Sequence, residues 1–457
     1  MLHAPGPGYY SAPLINPPLL SVATAGQTGP AQQSDQHQMG TIEQVGQPNS
    51  SAMSSNWELS GLGRAHRALV GLYELDGRAG RNLPMEGLRG LAILLVFICH
   101  YFLIFGAAFG LAPTLLPSRA FVQIGGSGVD LFFVLSGILI YRAAIRPHLE
   151  ITKFLKRRIA RIYPTFLTVF SLYLAVSLAV HGSHKIPTGR ALIAYLLANL
   201  LLLPGAFDIP ALLSAAWSLS YEVIFYVTLP FVAIVLRLHA RRPLQRLQFF
   251  ASLLLIYLTF IYAYGASMPA YVHYDGTFVR MTMFVAGILI CEFQDLGIVE
   301  CCSNGWPRSF LFVVTCTTLS LFVVLKSGVE DTVFQLEHRR RLAEACLLLL
   351  GYSALTIQAL GPRGTFPRIF SFAPLRWLGN LSFSFYLIHG LVLNMLTALV
   401  LRVSGAKTYL SYPLPVLFVP FFAITFLAAT VLFVKVERPL SLSDGQTKLT
   451  SRRQRTA

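Results

Sequence analysis

The 457-residue sequence predicts an all-α fold, a polytopic bundle of transmembrane helices. The chain is 54% hydrophobic and only 12% charged, with a mean hydropathy of +0.60, whereas soluble domains average about 25% charged residues. Apolar runs of 18 or more residues recur along it, as membrane-spanning helices require. The excess of basic residues, a formal charge of +16, lies in short clusters between these runs. Such clusters orient a protein in a bilayer, so we expect a lipid partner and no nucleic acid.

The first 80 residues predict a disordered cytosolic tail, because they are rich in Pro, Gly, Ser and Gln and are without apolar periodicity up to about residue 56. From Trp57 to Tyr73 the apolar side chains recur at helical spacing, which indicates a short amphipathic helix at the membrane surface. No basic segment followed by an apolar one opens the chain, so no cleavable signal peptide is expected. A transmembrane domain over 81–440 and a basic cytosolic tail over 441–457 follow.

Eleven apolar segments are candidate spans, and the distribution of basic clusters reduces them to ten. The clusters Lys153–Arg161 and Arg237–Arg246 should both be cytosolic, yet three apolar segments lie between them where only two crossings fit. The shortest, 190–205, would measure about 24 Å as a helix, less than the ~30 Å hydrocarbon core, so we expect it to be re-entrant or interfacial. Both termini are then cytosolic, although the cluster His338–Arg341 disagrees. The segments are 88–110, 120–141, 165–181, 190–205, 217–237, 246–264, 277–294, 309–326, 342–360, 381–402 and 414–435.

Polar side chains inside the first span are the clearest sign of function. Arg89 and His100 are eleven residues apart, about 16 Å and three turns of helix, so they share one face. Arg89 should lie at the cytosolic rim and His100 near the middle of the bilayer. Because an ionisable group at that depth is costly, it indicates a functional site, although a neutral histidine bonded to a carbonyl is the structural alternative.

Three more titratable groups should lie at a similar depth on other spans: Asp130, Glu222 and His389. Their convergence on one layer favours a buried polar site. Asp130 and Glu222 are equally consistent with pairing that only holds spans together. For His389 a structural role is favoured, because hydroxyl groups nearby in sequence offer local hydrogen-bond partners.

The basic cluster after the second span contains Arg157, Arg158 and Arg161, and it ends at Tyr163-Pro164, where proline can open the next helix. Arg158 and Arg161 face the same way and could bind phosphates together. Spacing alone favours ordinary positive-inside signalling. The six cysteines show no disulfide framework or metal-ligand spacing, and no metal is expected.

Taken together, these stretches resemble the acyltransferase-3 family of integral-membrane O-acyltransferases, and specifically a fungal-type member. They occur in the family's order and cover about residues 82–440. The matching stretches are LRGLAILLVFICHY (88–101), GVDLFFVLSGILIY (128–141), FLKRRIARIYPTF (154–166), WSLSYEVIFY (217–226), LGNLSFSFYLIHG (378–390) and VERPL (436–440).

The resemblance implies transfer of an acyl group, usually acetyl, from cytosolic acyl-CoA to a hydroxyl of a small acceptor, with no permanently bound cofactor. It makes Arg89 and His100 the essential pair, Glu222 the acid of its motif, and Arg158 and Arg161 the basic motif that would bind acyl-CoA with Arg157. Neutral His100 would act as general base, because histidine has an unperturbed pKa of about 6.5. Glu222 or Asp130 would orient its imidazole. An acyl-histidine intermediate is the less favoured route.

No extracytoplasmic esterase domain of the kind that some family members carry follows the last span, so a secondary metabolite, glycoside or lipid-like acceptor is expected rather than a bacterial surface polysaccharide. A second hypothesis is a proton-coupled transporter or exporter, which would also bury a polar layer among its spans. Transporters usually carry an internal repeat, and the second half of the chain has no counterpart of the LRG…CHY stretch. The acyl chain length, the membrane that houses the protein and its oligomeric state are not predicted.

Overall fold

The computed structural model describes residues 61–75, 82–108, 116–179, 186–187, 189–207, 209–264, 280–328, 337–404 and 413–441. They all belong to one compact unit that begins at Gly61. The regular structure in these ranges is helical, without a strand, which confirms the predicted all-α fold. The predicted disordered tail, up to residue 60, and the basic tail from residue 442 lie outside the described residues.

The helices are numbered here in chain order. They are α1 Gly61–Tyr73, α2 Leu83–Ala108, α3 Leu116–Gly126, α4 Gly128–Ala144, α5 Ile151–Ala179, α6 Arg190–Leu200, α7 Pro204–Phe207, α8 Trp217–Val235, α9 Pro243–Tyr264, α10 Thr282–Asp295, α11 Ile298–Cys301, α12 Gly305–Gly328, α13 Glu337–Leu360, α14 Thr365–Phe370, α15 Ala373–Asn380, α16 Ser382–Ser404 and α17 Pro413–Leu432, which continues as a π-helical segment, Phe433–Ser441. Short 3₁₀ turns precede α8 and follow it.

Nine helical stretches of the described chain are long and apolar enough to cross a membrane, where the sequence predicts ten. The difference is the segment 277–294. The structure describes it as α10, a buried helix of 14 residues, or about 21 Å, and the residues before it, 265–279, lie outside the described chain. The segment 190–205 contains only the 11-residue helix α6, about 16 Å, which is too short to cross.

Two predicted boundaries differ from the structure. The basic cluster Lys153–Arg161 is the first part of α5 rather than a loop, and the helix continues through Pro164. At 29 residues, or about 43 Å, α5 exceeds the hydrocarbon thickness, so its basic end can extend beyond the apolar layer. The second predicted span is interrupted between α3 and α4 at Ser127, whose hydroxyl donates to the carbonyl of Ile124 at 2.6 Å.

The amphipathic helix α1 is fixed to the bundle at the beginning of α2. The ring of Tyr73 stacks on Trp377 at 5.9 Å, and its hydroxyl bonds to Thr430 at 3.0 Å. Arg376 pairs with Glu74 at 3.0 Å and with Glu86 at 3.4 Å. These contacts hold α1, α2 and α15 together, which fixes the start of the helix that carries Arg89 and His100.

A charge network joins α4, α9 and α10 at one end of the bundle. Arg246 donates to Glu292 at 2.9 Å and to Asp295 at 3.1 Å. Arg142 reaches the other oxygen of Asp295 at 2.5 Å, and Tyr141 also donates to Glu292. Glu292 is fully buried, so its charge is stable there only because of these donors. The network fixes the position of α4, one wall of the site described below.

On the N-terminal side of this network, α4 and α10 cross with their backbones almost in contact. A Cβ atom added to Gly137 would lie 2.3 Å from the carbonyl oxygen of Phe284, and one added to Gly287 would lie 2.2 Å from that of Val134. Small residues permit such close approach between membrane helices. Any side chain at either position would force the two helices apart.

We therefore expect Gly137→Ala to lower the free energy of unfolding by about 1–3 kcal/mol, as overpacking usually does. The measurement is the thermal unfolding midpoint of the purified protein in detergent. Gly71→Ala is the matched control, because a Cβ there meets no atom within 4 Å and alanine favours the helix. Equal midpoints for the two variants would contradict the close crossing.

Candidate functional site

An arginine-lined pocket opens between α2, α4, α5 and α8, and we refer to it as the arginine pocket. About 840 Å³ of space lies within it and its open mouth. Apolar residues of α4 form much of its wall. Its main polar lining is Arg89, Ser136, Arg158, Arg161, Glu222 and Tyr226. The structure thus brings together four residues that the sequence singles out: Arg89, Arg158, Arg161 and Glu222.

The arginines of α5 are held by both charge and aromatic rings. Arg161 pairs with Glu437 at 2.9 Å, and Glu437 is fully buried. The other oxygen of Glu437 accepts from the amide and the hydroxyl of Ser384, at 3.1 and 2.6 Å. The guanidinium of Arg158 lies over the rings of Phe154 and Tyr226, at 5.5 and 5.9 Å. Such stacking leaves the edge of a guanidinium available to a ligand.

Glu222 provides the negative charge inside the pocket. One oxygen accepts from the hydroxyl of Ser136 at 2.7 Å, and the other accepts from Tyr226 at 2.8 Å. Arg89 lies within electrostatic range of both Glu222 and Glu437. Three cations and two carboxylates therefore surround the pocket, and this leaves one net positive charge for an anionic ligand.

Arg157 does not belong to this group. Its side chain is exposed, and it does not line the pocket although its neighbour Arg158 does. Consecutive residues of a helix point about 100° apart, so the two cannot share a face. Arg89 lines the pocket about two turns from the start of α2.

His100 lies farther along α2 and packs against His389, with ring centroids 4.8 Å apart at an interplanar angle of 75°. Nδ1 of His100 is 2.9 Å from the carbonyl oxygen of Val96, and Nδ1 of His389 is 2.6 Å from that of Tyr386. A carbonyl oxygen only accepts, so each Nδ1 carries the hydrogen and each neutral Nε2 carries a free lone pair. Nε2 of the fully buried His389 has no hydrogen-bond partner. The pair therefore presents two basic nitrogen atoms.

The predicted single layer of four titratable groups is divided in the structure. The hydrogen bonds of Glu222 go to Ser136 and Tyr226, and Asp130 faces Arg280 at 3.4 Å in a different cavity. The expected orientation of His100 by a carboxylate is thus replaced by the carbonyl of Val96. The local bond of His389 goes to the backbone carbonyl of Tyr386 rather than to one of the nearby hydroxyls, and His389 also contacts His100 directly.

Sequence reasoning missed several residues of these sites. In the sequence Glu437 is marked only by its place in the VERPL motif. Its pairing with Arg161 joins α5 to the π-helical segment after α17. Arg280 and Glu344 were not singled out, because each could be an ordinary residue at a helix end. The cluster His338–Arg341, which conflicts with the positive-inside assignment, is the sequence signal for these residues. Arginines on the unexpected side of the membrane need an acidic partner nearby.

The fold and these sites define a multi-pass helical membrane protein with polar sites buried between its helices. The chain belongs to the acyltransferase-3 family, whose acyltransferase domain matches residues 82–434. This membership confirms the family that the sequence motifs indicate, and it supports acyltransferase activity over the transport alternative.

Similar proteins are bacterial acyltransferases. The chain is 25% identical over 331 residues to the peptidoglycan O-acetyltransferase OatA of Listeria monocytogenes, covering 68% of this chain and 49% of that protein. It is 26% identical over 340 residues to the acyltransferase MdmB of Streptomyces mycarofaciens, covering 69% and 80%. The O-acetyltransferase OatA of Staphylococcus aureus is 25% identical over 336 residues, covering 68% and 50%. The chain thus spans about half the length of both OatA proteins. No solved structure matches the chain.

The Arg161–Glu437 pair gives a test of this geometry. We expect Glu437→Ala to lower the free energy of unfolding by about 1–3 kcal/mol, because it leaves the partly buried Arg161 without its partner and Ser384 without its acceptor. The double variant Arg161→Ala/Glu437→Ala should recover part of that loss, which a double-mutant cycle measures by thermal unfolding. Glu150→Ala is the control, since Glu150 pairs with Lys153 on an exposed face and should change stability by less than about 1 kcal/mol. Additive single effects would contradict the pairing.

Proposed function

We propose that the protein is a membrane-bound O-acyltransferase that moves an acyl group, acetyl in the simplest case, from cytosolic acyl-CoA to a hydroxyl of a small acceptor. The observation that carries the proposal is the convergence of Arg89, Arg158 and Arg161 with Glu222 in one pocket. Two distant parts of the sequence contribute its arginines, and positive-inside signalling alone would not require them to meet.

Acyl-CoA supplies the phosphates that suit this pocket. Guanidinium groups bind phosphate through parallel hydrogen bonds, which favours Arg158 and Arg161 as the clamp. Arg89 adds a third positive charge on the opposite wall. Because the basic start of α5 is assigned to the cytosolic side by the positive-inside rule, the donor enters from the cytosol. With α10 as a tenth crossing, both termini lie on that side.

The reactive end of the donor extends along α2 from Arg89 toward His100. These residues are about 16 Å apart along the helix axis, so only an extended donor bound at the arginines reaches the imidazole. Nε2 of His100 is the unprotonated nitrogen, the form that a general base needs. His389 positions the ring of His100 from the neighbouring helix.

In the reaction, Nε2 of His100 takes the proton of the acceptor hydroxyl while the oxygen attacks the thioester carbonyl carbon. The carbon–sulfur bond then breaks, and the leaving thiolate takes the proton from the imidazolium. The charge of Glu222 stabilises the arginines of the pocket. Its hydrogen bond from Ser136 links α8 to α4. The proposed acceptor is a secondary metabolite or a glycoside. The protein is correspondingly proposed to be a fungal-type member of the family.

We expect His100→Ala to reduce kcat for transfer from radiolabelled acetyl-CoA by about 10²–10⁴-fold, the usual value of general-base catalysis. The assay measures label moved to a panel of alcohols and glycosides, with the unfolding midpoint as a check on folding. His239→Ala, at an exposed turn, is the control. Full activity in a folded His100→Ala protein would exclude the base, whereas failure of the wild type to transfer label to any acceptor would argue against the function.

Arg158→Ala should raise the KM for acetyl-CoA about tenfold or more with a smaller change in kcat, because it removes binding that the ground and transition states share. Arg157→Ala should change that KM much less, since Arg157 is exposed outside the pocket. Steady-state kinetics at saturating acceptor measures both variants. Equal effects of the two substitutions on this KM would contradict acetyl-CoA binding by Arg158 in the arginine pocket.

A further inference from the structure

A second cavity lies beyond the arginine pocket along α2, and none of its lining residues also lines that pocket. About 770 Å³ of space lies within it and its mouth. Cys99 forms part of its wall, about 15 Å along the helix from Arg89 and adjacent in sequence to His100. The cavity therefore reaches the depth of the proposed base along α2, although His100 is not among its lining residues. Its charged lining is Asp130, Arg280, Lys326, Arg341 and Glu344.

The charges of the second cavity are paired but incompletely hydrogen-bonded. Arg280 faces Asp130 at 3.4 Å, and Lys326 contacts one oxygen of Glu344 at 2.9 Å. Asp130 is fully buried, yet neither of its oxygens accepts a hydrogen bond, and Oε1 of Glu344 accepts none either. Buried carboxylates normally have their lone pairs satisfied. Three acceptor atoms in the wall thus need donors.

The mixture of charges selects the chemical class of the ligand. The second cavity has the same balance of three cations and two carboxylates as the arginine pocket, so net charge does not exclude an anion. Phosphate, however, offers no strong donors to the three oxygens without hydrogen bonds. An ammonium ligand would face three cationic side chains. A neutral hydroxyl both donates and accepts, so it can bond to Asp130 and Glu344 while its oxygen accepts from Arg280 or Lys326. A ring that carries several hydroxyls can therefore bond to several of these charged side chains at once.

We propose that the second cavity binds a neutral polyhydroxylated, sugar-like ligand through Asp130 and Glu344, and that this ligand is the hydroxyl-bearing acceptor. The identification with the acceptor rests on the proposed acyl transfer, whereas the binding site does not. Asp130 thereby takes a role in ligand binding at the level of His100 in place of a role in orienting its imidazole.

The test is calorimetric binding of N-acetylglucosamine, methyl glucoside and myo-inositol to the full-length protein in nanodiscs, without acyl-CoA. We expect at least one to bind with a Kd in the millimolar range or tighter, weakened at least tenfold by Asp130→Asn and by Lys326→Met. Lys156→Met, on the exposed face of α5, is the matched control and should bind like the wild type. Glu344→Gln replaces Asp130→Asn if that variant does not fold.

Three outcomes would overturn the proposal: no binding by any of the three probes, equal binding by all variants, or tighter binding of inorganic phosphate than of the sugars. The first would leave ordered water as the content of the cavity. The binding assay needs no acyl-CoA. Sugar binding without label transfer would therefore contradict the proposed function and still support the binding site. Label transfer to the bound sugar, reduced by Lys326→Met through KM for that sugar, would support both.

Discussion

The cost of burying charge in an apolar helical bundle governs where the helices of this protein meet. A charged side chain away from water is stable only with a partner and with its hydrogen bonds made. Arg246 with Glu292 and Lys326 with Glu344 join consecutive helices, whereas Arg161 with Glu437 joins α5 to the segment that follows α17. The close crossings of glycine bring backbones together, but these pairs determine which helices are neighbours around each polar site.

The helix α2 connects the sites because it passes all of them. Arg89 faces the arginine pocket, His100 contacts His389, and Cys99 forms part of the wall of the second cavity. A rigid helix sets the separations between these points. In the proposed reaction, a donor and an acceptor bound at different depths would therefore meet the base at a fixed distance from each. This arrangement needs no carboxylate beside the imidazole, since backbone carbonyls already fix which ring nitrogen is protonated.

The sequence predicts the helical class, most spans and four charged residues of the arginine pocket, because apolar length and intramembrane charge are local signals. It could not predict which helix each charge would face. Glu222 and Asp130 are predicted at similar depths, yet they line different cavities. Arg157 and Arg158 are equally basic in sequence, and only the orientation of α5 distinguishes them. Pairing across long sequence separations, as in Glu437 with Arg161, leaves no local pattern.

That last pairing gives the chain a direction of assembly. Synthesis proceeds from the N-terminus, and α5 enters the membrane long before the segment that carries Glu437 exists. Until the final helix arrives, Arg161 has no carboxylate from that segment, and the amide and hydroxyl of Ser384 have no acceptor there. A chain interrupted before residue 437 would therefore insert most of its spans and leave Arg161 without the carboxylate that pairs with it. The arginine pocket reaches its final charge balance only after the segment that carries Glu437 has been made.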